Sequence, residues 1–154
     1  MQRKLYEQNR FDTDSQACLL EPSIIGGPII LIPRLSLRYY ERAMFIIQGG
    51  AANDAAATLN IRALQSDTGL GGNEKVIAGK AITQVTAGVG FADRNDLWCI
   101  HIEVPELDVN NQFRWVTVEI TVSQGDTWLL SVVCQRETRG YEPVPALSYT
   151  EIVD

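Results

Sequence analysis

The sequence predicts an all-β protein: a jelly-roll-like fold or sandwich of short antiparallel strands, with extended arms at both ends. Three observations predict it. Stretches 57–65, 97–104 and 113–122 alternate apolar and polar residues with the period of two that marks a strand with one buried face. Glycine, proline, asparagine and aspartate punctuate the chain between these stretches, where turns are needed. No stretch sustains the 3.6-residue period of an amphipathic helix. Leu5 to Arg10 could form one helical turn and 67–79 could hide another.

The elements follow in order. Residues 1–23 are polar, mixed in charge and without sustained periodicity, and read as an N-terminal arm. The β domain is expected over 24–136. Residues 29–32 form a β-branched run between Gly26-Gly27-Pro28 and Pro33, a short strand. Residues 43–48 (AMFIIQ) make a second strand that stops at Gly49-Gly50. In 57–65, Leu59, Ile61 and Ala63 share one face, and Thr58, Asn60 and Arg62 share the other. The glycines of 67–74 (DTGLGGNE) predict a flexible surface loop, and 81–86 is expected as a further strand. In 97–104, Trp98, Ile100, Ile102 and Val104 share a face. In 113–122, Val116, Val118, Ile120 and Val122 form a stripe opposite Trp115, Thr117, Glu119 and Thr121. Ser123-Gln124-Gly125-Asp126 is a turn signal, and 128–134 is the last strand. Residues 137–154, with Pro143, Pro145 and four acids, read as a C-terminal arm.

Length and composition narrow the function classes. A chain of 154 residues is one domain with room for a core, and 45% hydrophobic with 21% charged residues is globular rather than disordered. The net charge of −6 argues against nonspecific binding to nucleic acid or anionic membrane. That charge is uneven: 1–42 holds six basic and five acidic residues, 43–154 seven and fourteen. The N-terminus has no apolar core of a secretory signal, and the greasy run between Pro28 and Pro33 is far too short for a membrane span. Cys18, Cys99 and Cys134 are too few and too odd in number for a disulfide framework, so free thiols are expected.

Catalytic and metal chemistry find no constellation. The one histidine, His101, shares a face with Cys99, and Cys134 could approach from a neighbouring strand. Zinc wants three or four such ligands, and no triad partner is placed, so a strand histidine with a satisfied ring is the expectation. Glu106-x-Asp108-x-Asn110 resembles the start of a calcium loop, but the positions that need glycine and glutamate hold Asn111 and Thr117. Gly69-Leu70-Gly71-Gly72 lacks the Lys-Ser/Thr and the strand-to-helix setting of a phosphate cradle. No cofactor, no metal and no enzymatic activity are expected. The stretch Arg34 to Arg42 interleaves arginine with tyrosine, which can bind nucleic acid by stacking. The acidic balance and Glu41 favour a partner protein instead. Trp115 and Phe113, opposite the valine stripe, are either interface anchors or core beneath the second sheet.

Four segments carry a resemblance: RLSLRYYERAMFIIQGGA (34–51), ALQSDTGLGG (63–72), ELDVNNQFRWVTVEITV (106–122) and RGYEPV (139–144). In this order and spacing they resemble a family of tailed-phage capsid cement or decoration proteins, across about 34–144. The matching positions include Tyr40, Ala43, Gln65, Asp67, Glu106, Leu107, Asp108, Val109, Asn111, Phe113 and Tyr141. Trp115 and the long N-terminal arm depart from the pattern. The resemblance implies a non-enzymatic virion protein, made in the host cytoplasm and bound to the capsid exterior. Its partner would be the phage major capsid protein and its own state a homotrimer. The surface candidates for such contacts are Arg3, Lys4, Tyr6, Arg10 and Phe11 in the N-terminal arm, and Arg34, Arg38 and Tyr39 in the basic stretch. Phe113 and Trp115 join them, with Tyr141 and Tyr149 in the C-terminal arm. The alternatives are a head-completion, tail-tube or receptor-binding module and, third, a small jelly-roll enzyme or sugar-binding domain.

Overall fold

The structure, a computed structural model, describes residues 16–30 and 34–138. Ten strands run in chain order: β1 (Gln16–Ile25), β2 (Pro28–Ile30), β3 (Leu35–Ser36), β4 (Tyr40–Ala52), β5 (Thr58–Ser66), β6 (Lys75–Ala81), β7 (Val85–Thr86), β8 (Asp96–Glu103), β9 (Trp115–Val122) and β10 (Trp128–Thr138). The described residues hold no α-helix, only single 3-10 turns at Phe91–Asp93, Val104–Glu106 and Val109–Asn111.

The pairing is nested. β1 pairs with β10, β2 and β3 with β9, β4 with β8, and β5 with β6 and β7, each time antiparallel. A chain doubled back on itself in this way and then rolled gives two sheets, ordered β1-β10-β4-β8 and β2-β9-β5-β6, with β3 and β7 completing the outer ranks of the second. This is the double Greek-key wrap of a jelly roll, as the alternation pattern predicts. One end of the sandwich gathers the connections at 26–27, 53–57, 87–95 and 123–127, tied by backbone bonds such as Asn53 N–H to the Thr127 carbonyl. The other end holds 34–39, 67–74 and 104–114, together with Gln16 and Thr138.

The core lies between the sheets and uses the predicted faces. Ala43, Phe45 and Ile47 of β4 and Trp128, Leu130, Val132 and Cys134 of β10 meet Leu59, Ile61 and Ala63 of β5 and the stripe Val116, Val118, Ile120 and Val122 of β9, all buried. Ile100 and Ile102 of β8 complete it, while Trp98 and Val104 on the same face are half-buried at its rim. Gly49 lets this packing close: a Cβ there would sit 2.6 Å from the Trp98 ring.

Four expectations are corrected. Residues 16–23 do not belong to an arm, because β1 begins at Gln16 and lies in the first sheet beside β10. Its Glu21-Pro22 step coincides with register shifts, so the strand lacks the plain alternation that would reveal it. β10 likewise carries the domain to Thr138. Residues 81–86 are not one strand: β6 ends at Ala81, and β7 starts afresh at Val85. Finally, 67–74 is a tied loop rather than a flexible one. Ser66 Oγ–H donates to the Thr68 carbonyl (2.8 Å), Asn73 Nδ2 donates to Asp67 (2.6 Å), and Glu74 is paired with Arg34. Residues 1–15 and 139–154, most of both expected arms, lie outside the described residues, as does 31–33 within the expected strand 29–32.

Candidate interaction face

The predicted surface residues divide sharply. Arg34 is folded inward, its side chain 9% exposed and ion-paired with Glu74. Phe113 is buried, with the Lys75 ammonium 3.9 Å from its ring centroid, so it is no open anchor. Trp115 is half-buried on the outer side of the second sheet, where residues 67–74 wall it in; a Cβ on Gly69 would touch its ring at 3.0 Å. The cover over Trp115 comes from a loop rather than from the opposite sheet, and that over Phe113 from Lys75 of β6. Arg38 and Tyr39 are exposed together, the guanidinium 5.4 Å from the ring centroid. Arg3, Lys4, Tyr6, Arg10, Phe11, Tyr141 and Tyr149 lie outside the described residues.

The chemistry-bearing residues are dispersed. Cys99 and His101 point outward from β8, whereas Cys134 points into the core, so strand parity separates the two thiols. Burial pushes the Cys134 thiol up to about 12. The segment around Asp108 is a structural tie. Asp108 is paired with Lys75, accepts from Asn111 Nδ2 at 2.8 and 3.0 Å, and its N–H donates to Gln65 (2.8 Å). The Lys75 contact, then the Asn111 amide, holds the Asp108 carboxyl below its usual value. Glu106 is lowered chiefly by Lys80 at 2.7 Å, and its carboxylate also accepts the Glu103 N–H (2.8 Å). Among the described residues, no three His, Cys, Asp or Glu side chains converge to hold a metal ion, and no helix is long and apolar enough to cross a membrane.

What the sequence reading missed is the outer face of the first sheet. The inward residues of β4 and β10 fill the core, and among their outward residues Met44, Ile46, Leu129 and Val133 are apolar too, beside the polar Arg42, Gln48, Ser131, Gln135 and Glu137. Val133 of β10, Ile46 of β4 and Cys99 of β8 lie in one row across three strands. Around that row stand Ile24 (72% exposed), Leu97 (67%), Leu129 (38%) and Met44. Gly49 and Gly50 floor a shallow groove of about 160 Å³ in this face, between Pro22, Leu129 and Ser131. The outer side of the second sheet is more polar at its centre, with Ile30 and Val76 exposed towards its margins. It carries Asn60, Glu119 and Thr121, with Arg62 paired to Glu119. The groove is also lined by Gln48 and Asn95, and a face of this kind can bind by removing apolar surface from water.

No protein-family profile matches the chain, and no curated protein matches it. Among solved structures, a chain of the infectious bursal disease virus (Gx strain) structure superposes on it with a TM-score of 0.54 and 14% identity. The match covers 83% of this chain and 32% of that one, so the chain spans about a third of that chain's length. What this likeness shows is the fold, an antiparallel β sandwich of jelly-roll type.

Proposed function

We propose that this chain is a non-enzymatic virion structural protein that binds the outer surface of a phage capsid as a homotrimer and joins neighbouring capsomers. The observation that carries the proposal is the apolar patch on the outer face of β1-β10-β4-β8, exposed among the described residues. Two resemblances support it: the cement-like segments of the sequence, and a fold shared with a chain of the infectious bursal disease virus structure. Ile24, Leu97, Leu129 and Val133 together expose about two full aliphatic side chains. Burying that much surface is worth on the order of 5 kcal/mol before the costs of association. One such contact is weak, but three per trimer, and many trimers per shell, multiply it through avidity.

Purified protein mixed with undecorated, expanded shells should co-sediment saturably, as a trimer by light scattering. A folded protein that leaves every shell bare would overturn the proposal. Rings of six copies would replace it with the tail-tube reading.

A further inference from the structure

A sheet edge presents unpaired N–H and C=O groups, and soluble proteins block their edges. Among the described residues, three of the four edges are blocked. β1 has two register shifts against β10 and carries Glu21 and Pro22. β2 and β3 are short, separate pieces, with Pro28 opening the first. β6 and β7 are interrupted, with a register shift, two lysines and a left-handed Gly79. β8 has none of these devices in its interior, its two acids Asp96 and Glu103 standing at its ends. It runs eight residues in unbroken register with β4, without glycine or proline, and carries no lysine, arginine or acid from Leu97 to Ile102. Among the described residues it pairs with β4 alone.

We propose that the free edge of β8 docks β8 of a second copy, antiparallel about a two-fold axis, with Cys99 opposite Cys99 of that copy. The Glu103 N–H donates to Glu106 rather than to β4, so the odd-numbered residues turn their backbone groups outward. The open groups are therefore those of Leu97, Cys99 and His101. A two-fold centred on Cys99 sets Cys99 against its equivalent and Leu97 against His101 of the other copy, and each open N–H and C=O finds a partner. A two-fold centred on Ile100 would need the Glu103 N–H that Glu106 already holds. Registers shifted by one residue would set outward side chains against inward ones. The favoured register leaves Asp96 opposite Ile102 and brings no like charges together. A second copy is the occupant because this register is self-complementary, pairing every open group and opposing no like charges. A ring of three has no internal two-fold, so the contact would link copies of different trimers. It does not depend on shell binding and can hold or fail separately.

The test uses the full chain carrying Cys18→Ser, treated with a short bismaleimide. Paired Cα atoms in such a ladder lie about 5.5 Å apart. A covalent dimer joined Cys99 to Cys99 is expected, and it should vanish in Cys99→Ser. Cys99→Lys, an exposed change that sets like charges on the axis, should weaken self-association in sedimentation velocity at least about tenfold with an unchanged circular dichroism spectrum. Complete single-site modification of Cys99 without dimer, or unchanged self-association of Cys99→Lys, would overturn the proposal. So would slow hydrogen exchange at the Leu97, Cys99 and His101 amides at dilutions where that link is absent, because another segment would then hold the edge.

Discussion

Gly71→Ala should destabilise the protein by about 2–4 kcal/mol, while Gly72→Ala beside it should change little. Gly71 has a φ of 71°, in the left-handed region where an alanine costs about 1–2 kcal/mol. Its Cβ would also land within van der Waals contact of the Arg34 guanidinium, which is held by Glu74. Pushing that guanidinium aside loses a charge-assisted hydrogen bond, about 1.5–3 kcal/mol. The stiffer unfolded chain returns about 0.4–1 kcal/mol. At Gly72 the nearest atoms to an added Cβ are 3.8 and 3.9 Å away and φ is not positive, so the expected change lies within about 0.5 kcal/mol. Urea unfolding of both variants measures the difference, and Gly71→Ala should melt roughly 5–15 °C lower. An Arg34→Ala background separates the two causes, because there the Gly71→Ala cost should fall to its backbone part. Equal costs at Gly71 and Gly72, or a Gly71 cost unmoved by Arg34→Ala, would refute the argument that Arg34 is a buried tie of the 67–74 loop.

The remaining predictions concern titration and the apolar face. Cys134 has a folded pKa raised from 9.0 to about 12, so its contribution is intact below pH 9 and is lost as pH rises from 9 towards 12, by at most about 1.4 kcal/mol per pH unit. Cys134→Val should remove that part of the alkaline loss, seen as urea midpoints that fall less between pH 9 and 11 than in the parent. Asp108 is the reverse case. Its folded pKa is depressed, so its contribution is present above the ordinary 3.8 and is lost as pH falls through the lower folded value. Asp108→Asn should therefore be less stable at pH 7 and flatter below pH 4, as measured by thermal melts across that range. Ile24→Asp, on the edge strand far from β8, should leave stability within about 0.5 kcal/mol and cut shell binding at least about tenfold in the co-sedimentation assay. Retained binding would move the contact off this face.

The sequence made some strands legible and hid others for physical reasons. β5, β8 and β9 each place one side against the core and the other towards solvent or a loop, so their alternation survives in the residue string. β1 is an edge strand bent by register shifts, and a bent strand has no steady period; Pro22 inside it reads as a stop. β6 and β7 were merged and displaced because Gly79, in left-handed backbone, lies inside a strand rather than beyond one. Arg34, Phe113 and Trp115 looked like surface residues because their covers come from distant parts of the chain: Glu74, Lys75 and Gly69. Local pattern carries no information about a cover some thirty to fifty residues away.

The outer face of the first sheet was legible in principle, through a different signal. The run AMFIIQ sends Ala43, Phe45 and Ile47 inward, yet Met44 and Ile46 outward are apolar too. In β10, Leu129 and Val133 lie outward between the core residues Trp128, Leu130, Val132 and Cys134. Strands apolar on both sides are the mark of a sheet covered on both faces. In a two-layer fold only one of those faces can meet the other sheet. β5 and β9 show that this chain makes polar outer faces where solvent is the neighbour, since Asn60, Glu119 and Thr121 stand there, and Arg62 is paired with Glu119. Solubility alone would favour the same treatment for β4 and β10. The two outer faces differ in degree, since Ile30 and Val76 are exposed on the second sheet as well, and the proposal of a protein neighbour rests on the contiguous row Val133, Ile46 and Cys99 of the first.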